Sequence, residues 1–200
     1  MLKLHQKIYL PFKLFFGILL SFIAIVLLSW LLVIIAIIIK CTSKGPILFK
    51  QDRIGKNKKI FKVLKFRTMR IDAPHNTPTH MLEDPNKYIT KIGKFLRKTS
   101  LDELPQLFNI LLGQMAIVGP RPALWNQDDL IALRDKYHAN DIRPGLTGLA
   151  QVSGRDELEI DIKAKFDGEY YDKFSIFFDI KILFLTVFSV FSSKGIKEGK

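Results

Sequence analysis

Two hundred residues hold one domain of ordinary size once a membrane segment is subtracted, and the roughly 160 residues after Lys40 are enough for a core. Lysine and arginine number 31 against 19 aspartates and glutamates, a formal charge of +12, which calls for an anionic partner: nucleic acid, anionic lipid or a phosphorylated small molecule. The single cysteine, Cys41, excludes an internal disulfide framework, and His5, His75, His80 and His138 lack the spacing of zinc ligands.

From Leu14 to Ile39 there are 26 residues without a charge. As a helix rising about 1.5 Å per residue the run would reach about 39 Å, beyond a hydrocarbon core of roughly 30 Å. It is about twice the length of a signal-peptide core and meets Lys40 without a small-residue cleavage pattern, so it is expected to stay attached. Lys3, Lys7 and Lys13 precede the run and Lys40, Lys44, Lys50 and Arg53 follow it, so both flanks favour the cytoplasm. A re-entrant helical hairpin satisfies both flanks; a single spanning helix sends the N-terminal lysines across. Ser29 and Trp30 mark the expected apex, although neither breaks a helix as proline does. The expected organisation is a membrane-embedded segment at 1–40 and a domain at 41–200.

After the anchor, Ile47–Gln51 and Ile60–Phe66 read as two strands joined by a turn at Gly55, Lys56 and Asn57. Eleven Lys or Arg lie between Lys40 and Arg70 against one acid, Asp52. One reading is a juxtamembrane patch for anionic lipid, worth about 1 kcal/mol per charge. The other has some of these cations, Lys65 and Arg67 especially, facing a phosphate. Ala73 to Asn86 reads as a proline-punctuated loop, Ile89–Arg97 as a helix, QMAIVGPRP as a short strand ending in a proline-bracketed arginine, and Asp128–Tyr137 as a helix. RPGLTGLAQVSGR, from Arg143 to Arg155, is glycine-rich and predicts neither helix nor simple strand. The phenylalanine-rich segment near the C-terminus contains Asp179 and Lys181, which predicts an interfacial helix, with a buried core helix as the alternative.

The stretch SLDELPQLFNILLG, Ser100 to Gly113, sets two acids ahead of a proline in a basic chain. With Ser100 as N-cap, Glu103 completes a capping box but Pro105 deprives the Leu101 carbonyl of its bond. With Asp102 as N-cap, Pro105 falls where its missing N–H had no intrahelical partner. In either register Leu104, Leu107, Phe108, Leu111 and Leu112 form an apolar stripe and Gly113 ends the helix. The two carboxylates then project about 100° apart, which suits one attacking while the other holds a metal; helix capping alone is the alternative.

Four blocks, GPILFKQDRIGKNKKIFKVLKFRTM, TSLDELPQLFNILLGQMAIVGPRP, RPGLTGLAQVSGR and DIKILFL, resemble in order and spacing the small monotopic phosphoglycosyl transferases, a family of bacterial sugar transferases. The resemblance implies an α+β, helix-dominated fold: a re-entrant membrane helix, then a small cytoplasmic-face domain with a β-hairpin and interfacial helices. It implies transfer of a sugar 1-phosphate from a UDP-sugar to a polyprenol phosphate such as undecaprenyl phosphate, with release of UMP. It also implies Mg²⁺, a covalent aspartyl-phosphosugar intermediate and a place on the bacterial inner membrane. Asp102 matches the nucleophile and Glu103 the principal Mg²⁺ ligand, with Asp102 beside it. Arg121, between Pro120 and Pro122, matches the arginine that contacts substrate. Arg97, Arg143 and Arg155 are expected to contact phosphate or nucleotide, since a guanidinium suits phosphate bidentately, and Gln151 joins this candidate set.

This chain departs from the family pattern at four places. Ser29-Trp30 stands where Ser-Pro is usual, and Phe15-Phe16 where an aspartate commonly follows the first phenylalanine. Gln114 replaces an aspartate and Leu149 a tryptophan, each expected to alter a structural contact or substrate positioning. The transferase reading has the bilayer as a partner and no nucleic acid. The reading from another class is a membrane-tethered polybasic protein that binds anionic lipid or nucleic acid without catalysis.

Overall fold

A computed structural model describes residues 2–74, 84–154 and 158–192. Helix α1 (Leu4–Leu27) and α2 (Ser29–Thr42) lead into strands β1 (Leu48–Ile54) and β2 (Ile60–Phe66). Helix α3 (Lys91–Lys98), a 3₁₀ turn at Leu101–Glu103 and α4 (Gln106–Leu111) follow, then β3 (Ala116–Val118), α5 (Asp128–Lys136) and β4 (Gly145–Thr147). The described chain closes with α6 (Leu149–Ser153), α7 (Ile160–Lys173) and α8 (Ile176–Ser192). The fold is α+β and dominated by helix, with two small sheets.

The apolar run begins its helix ten residues earlier than its charge-free core suggests and breaks at Leu28, whose φ of −96° and ψ of 5° leave helical geometry. No proline lies there. The break falls where the packing partner changes: Ala24 and Ile25 meet a cluster of Val63, Leu107, Ile110 and Met115, whereas Leu31, Leu32, Ile35 and Ile39 meet Phe66 and Leu96. Thus Ser29 opens α2 and Trp30 projects outward, two residues past the break.

Helix α1 is packed inside out. Its buried residues are Gln6, Gly17 and Ser21, the last fully enclosed at 0 % exposure, whereas Phe22 is 54 % exposed and Phe12, Phe15 and Phe16 also face outward. A helix in water buries its large apolar side chains; one in lipid sets small residues against its neighbours and large ones outward. Gly17 faces Ile110 and Ile117, and the Ser21 hydroxyl donates to the Gly17 carbonyl at 2.7 Å. Among the described residues α1 is the helix long and apolar enough to cross a membrane.

Strands β1 and β2 pair antiparallel with Gln51 opposite Val63, Arg53 opposite Phe61 and Phe49 opposite Lys65. Alternation sets Phe49, Gln51 and Arg53 with Phe61, Val63 and Lys65 on one face. That face carries Val63 into the cluster with Leu107, Ile110 and Met115. On the other face an exposed Lys62–Asp52 pair, 2.9 Å apart, meets solvent at mid-strand, while Ile54 and Phe66 at the strand ends are buried. Buried Asn109 stitches the hairpin to α4: its Oδ1 accepts from the Leu64 amide at 2.9 Å, and its Nδ2 donates to the Lys62 carbonyl and to Gln114 Oε1. Gln114 thus answers Asn109 with an amide oxygen at the position where the family has a carboxylate. Gly113, at φ 69°, turns the chain out of α4 while the Gln114 amide bonds the Asn109 carbonyl.

RPGLTGLAQVSGR is more regular than its composition implies. It forms β4, parallel to β3 with Ala116 opposite Gly145 and Val118 opposite Thr147, and then α6. The glycines serve close backbone approach: a Cβ on Gly145 or Gly148 would overlap the backbone of Gly119. Leu149 packs on the cluster of Val118, Ile142, Tyr170 and Phe174.

The C-terminal helix α8 is partly core and partly apolar surface. Ile182 and Asp179 are buried, while Phe177 is 81 % exposed and Phe184, Val187 and Phe188 lie outward. Asp179, one of the two charges from which an interfacial helix was expected, faces inward. It accepts from Lys13 and Tyr9 of α1 and from Tyr170 of α7, with the Lys13 ammonium 2.8 Å away and also bonded to the Tyr170 hydroxyl.

Candidate active site

Of the two N-cap positions the sequence allows, Ser100 is the one that precedes the turn bearing both acids, and Asp102 lies inside that turn. Ser100 holds φ 58° and caps nothing with its side chain; Leu101–Glu103 form a 3₁₀ turn and α4 starts only after Pro105. The cause is the proline. Amides of Glu103, Leu104, Leu107 and Phe108 all bond three residues back, to Ser100, Leu101, Leu104 and Pro105, because Pro105 brings no N–H to continue a four-residue ladder. Ser100 is one of four described non-glycine residues with positive φ, and such strain costs about 1 kcal/mol or more. It is what turns α3 into the acid-bearing turn.

Glu103 takes two cations on one oxygen. Lys65 Nζ lies 2.7 Å and Arg121 Nη2 2.9 Å from its Oε1. Lys65 and Glu103 are 19 % and 18 % exposed, so the pair is shielded from bulk water yet open at one side. Lys65 comes from the inner face of β2, Glu103 from the 3₁₀ turn and Arg121 from the loop between β3 and α5. Burial pushes the Glu103 carboxyl up, but Arg121 and Lys65 outweigh it and hold the group well below the usual carboxylate range.

Asp102 is buried, and burial raises its carboxyl to about 6, opposed by Lys65 and reinforced by the Glu103 charge. Arg97 and Arg121 also pull it down, so both stand near it. Arg97 is steadied by an Nε bond to Thr68 Oγ1 at 2.8 Å. Burial likewise pushes Lys65 down.

Arg53 belongs to the same group. Burial and then the Arg121 charge lower it, against the pull of Glu103, to about 9, so it is still a cation at neutral pH. Sequence reasoning counted Arg53 only among the basic residues after the anchor. The signal was its register: with Lys65 it is a cation on the hairpin face that otherwise carries Phe49, Phe61 and Val63. Among the described residues four cations, Arg53, Lys65, Arg97 and Arg121, therefore gather about two carboxylates.

Pro120 and Pro122 hold Arg121 through their carbonyls as well as their rings: Pro120 accepts from the Gly145 amide at 2.8 Å and Pro122 from Arg53 at 3.0 Å. The other predicted residues lie elsewhere. The Arg67 guanidinium is bound to the Ser43 and Lys44 carbonyls at 2.8 and 2.7 Å, tying β2 to the end of α2. Arg143 donates to the Gly113 carbonyl at 2.7 Å, at the far end of α4 from the acids. Gln151 bridges back to the Leu146 carbonyl at 3.0 Å, within its own loop. Arg155 lies outside the described residues.

No group of three or more His, Cys, Asp or Glu forms among the described residues. Adjacent Asp102 and Glu103 fit Mg²⁺, which takes one or two carboxylates and completes its shell with phosphate oxygens and water. They do not make a zinc site.

Residues 8–193 match the family of bacterial sugar transferases, and the chain belongs to that family. It is 42 % identical over 191 residues to a UDP-glucose:undecaprenyl-phosphate glucose-1-phosphate transferase of Klebsiella pneumoniae, covering 92 % of this chain and 41 % of that protein. It is 42 % identical to galactosyl transferase CpsE of Streptococcus agalactiae over 166 residues, 76 % of this chain and 36 % of CpsE. The exopolysaccharide production protein ExoY of Sinorhizobium fredii is 36 % identical over 194 residues, 90 % of this chain and 85 % of ExoY. The chain therefore spans about two fifths of the Klebsiella protein and most of the length of ExoY.

Proposed function

We propose that this chain transfers a sugar 1-phosphate from a UDP-sugar to a polyprenol phosphate, undecaprenyl phosphate being the acceptor in the Klebsiella relative's name, and so begins a lipid-linked glycan. The observation that carries the reading is the unlike setting of two neighbouring carboxylates: Glu103 held ionised by Lys65 and Arg121, Asp102 buried with its carboxyl raised to about 6. A carboxylate with a raised pKa is a better nucleophile once ionised, and cations beside it screen the anionic diphosphate it must approach.

In the proposed sequence an Asp102 oxygen attacks the sugar-side phosphorus. The new O–P bond forms as the bond to the bridging oxygen breaks, and UMP leaves with that electron pair. The acceptor phosphate then attacks the same phosphorus and Asp102 departs as a free carboxylate. Arg121 and Lys65 stand where they can pass from Glu103 to the donor phosphates, and Arg97 beside Asp102 favours its charged form. Mg²⁺, held by Glu103 with Asp102 beside it, would neutralise diphosphate charge.

The outward phenylalanines of α1 and α8 support a bilayer as the medium, and the polyprenol acceptor requires one. The test is UMP release from UDP-sugars with undecaprenyl phosphate, with Mg²⁺ and with chelator. Asp102→Asn is expected to lose more than about 10³-fold while still unfolding cooperatively and no less stably than wild type. Substantial turnover by that variant excludes a covalent role for Asp102. A wild-type protein that releases UMP from no donor, yet binds anionic vesicles with steep salt dependence, favours the polybasic binding reading.

A further inference from the structure

The loop that carries Arg121 is sewn down on both edges. On one edge the Gly119 amide donates to the Thr147 carbonyl and the Gly145 amide to the Pro120 carbonyl, both at 2.8 Å. On the other the Ile54 amide donates to the Ala123 carbonyl at 2.9 Å, and Arg53 and Leu124 form a bridge. The Arg53 side chain enters this second seam. Its Nη1 donates to the Pro122 carbonyl at 3.0 Å, while Nε and Nη2 converge on Gln51 Oε1 at 3.1 and 2.6 Å. Gln51 is buried and lies two residues back on the same strand face, so it fixes the guanidinium plane and with it the direction of Nη1. Pro122 directly follows Arg121, whose own Nη2 reaches Glu103.

We propose that Arg53 is a positioning residue of the transferase site: through the Pro122 carbonyl it sets the direction in which Arg121 meets Glu103 and the donor diphosphate. This rests on the transferase reading above. The role belongs to the fork of the guanidinium. A lysine keeps the charge but cannot pair two nitrogens with Gln51 while a third reaches Pro122. A small misdirection of Arg121 is enough to matter, since displacements of about 1 Å at a reacting site cost on the order of 100-fold in rate.

The experiment combines amide hydrogen exchange on the ligand-free protein in detergent with donor kinetics, for Arg53→Lys, Arg53→Met, Arg121→Ala and the double variant Arg53→Met/Arg121→Ala. Amides of 119–124 and of Ile54 are expected to exchange roughly tenfold faster in both Arg53 variants while α5 and α7 keep their protection. The kcat/KM for the UDP-sugar is expected to fall on the order of 10- to 100-fold in both, and Arg53→Met to add nothing further in the Arg121→Ala background. Unchanged exchange in 119–124 overturns the proposal, as does an Arg53→Lys variant that behaves like wild type, or losses that multiply with Arg121→Ala. Should Arg53→Met lose protection throughout, Arg53→Lys decides. A wild-type protein without transferase activity overturns the reading of function, and the exchange measurement still decides whether Arg53 positions the loop.

Discussion

At Asp102 the fold keeps a carboxyl where burial disfavours its charge. The group is raised from an ordinary value of 3.8 to about 6, so the folded protein binds this proton more tightly than the unfolded chain does. Its stabilising contribution is therefore full below about pH 4 and is lost as pH rises through about 6; the shift corresponds to about 3 kcal/mol at most. Asn has no proton to lose. In metal-free buffer Asp102→Asn should melt like wild type near pH 4 and be about 2–3 kcal/mol more stable at pH 7.5, read from thermal unfolding. An Asn variant no more stable than wild type at pH 7.5 would show that the surrounding cations, not burial, govern Asp102. A destabilising group retained at a site is what the trade between activity and stability leads one to expect.

Helix α1 is bound to the rest of the protein by a polar element inside an apolar surface: Lys13, Asp179, Tyr9 and Tyr170 join α1, α7 and α8. With side chains only 10 % and 8 % exposed, Lys13 and Asp179 each need the other. Lys13→Met should cost about 3–5 kcal/mol by leaving Asp179 buried without its cation, and Lys13→Met with Asp179→Leu should recover most of it. Thermal unfolding in detergent micelles measures both, and a single variant within about 1 kcal/mol of wild type would sink the idea. Sequence could not reveal this pairing, because the partners are 166 residues apart and Asp179 served only to argue for an interfacial helix. The hairpin, by contrast, was legible: its alternation and the Gly55 turn are local signals, and β2 runs from Ile60 to Phe66 as read. The acid-bearing turn was legible as to place and not as to geometry, since one missing N–H at Pro105 converts a helical start into a 3₁₀ turn. Lys65 was singled out within the basic stretch after the anchor and Arg121 through resemblance to a family, whereas Arg53 needed the register and the Pro122 contact that only the folded chain supplies.

Across the whole molecule, both ends of the apolar helix pair return to one body. At the start of α1, Lys3 Nζ donates to the Asp172 carbonyl at 2.9 Å and Gln6 Nε2 to the Tyr171 carbonyl at 2.7 Å, both at the end of α7. At the end of α2, Ile39 is buried with Phe66 and Leu96. A straight span would carry Lys3 across about 30 Å of hydrocarbon, away from α7. A helix that enters and returns keeps these contacts and leaves all the flanking lysines on the cytoplasmic side, as their charge favours. This topology is open to a direct test with Cys41→Ser as background and single cysteines introduced by Lys3→Cys or Lys62→Cys. In intact spheroplasts a membrane-impermeant maleimide should label neither, and in inverted vesicles it should label both, since both positions are exposed in the fold. Labelling of Lys3→Cys from outside the cell, with Lys62→Cys protected there, would establish a spanning helix and would require the contacts between Lys3, Gln6 and α7 to be absent in the membrane.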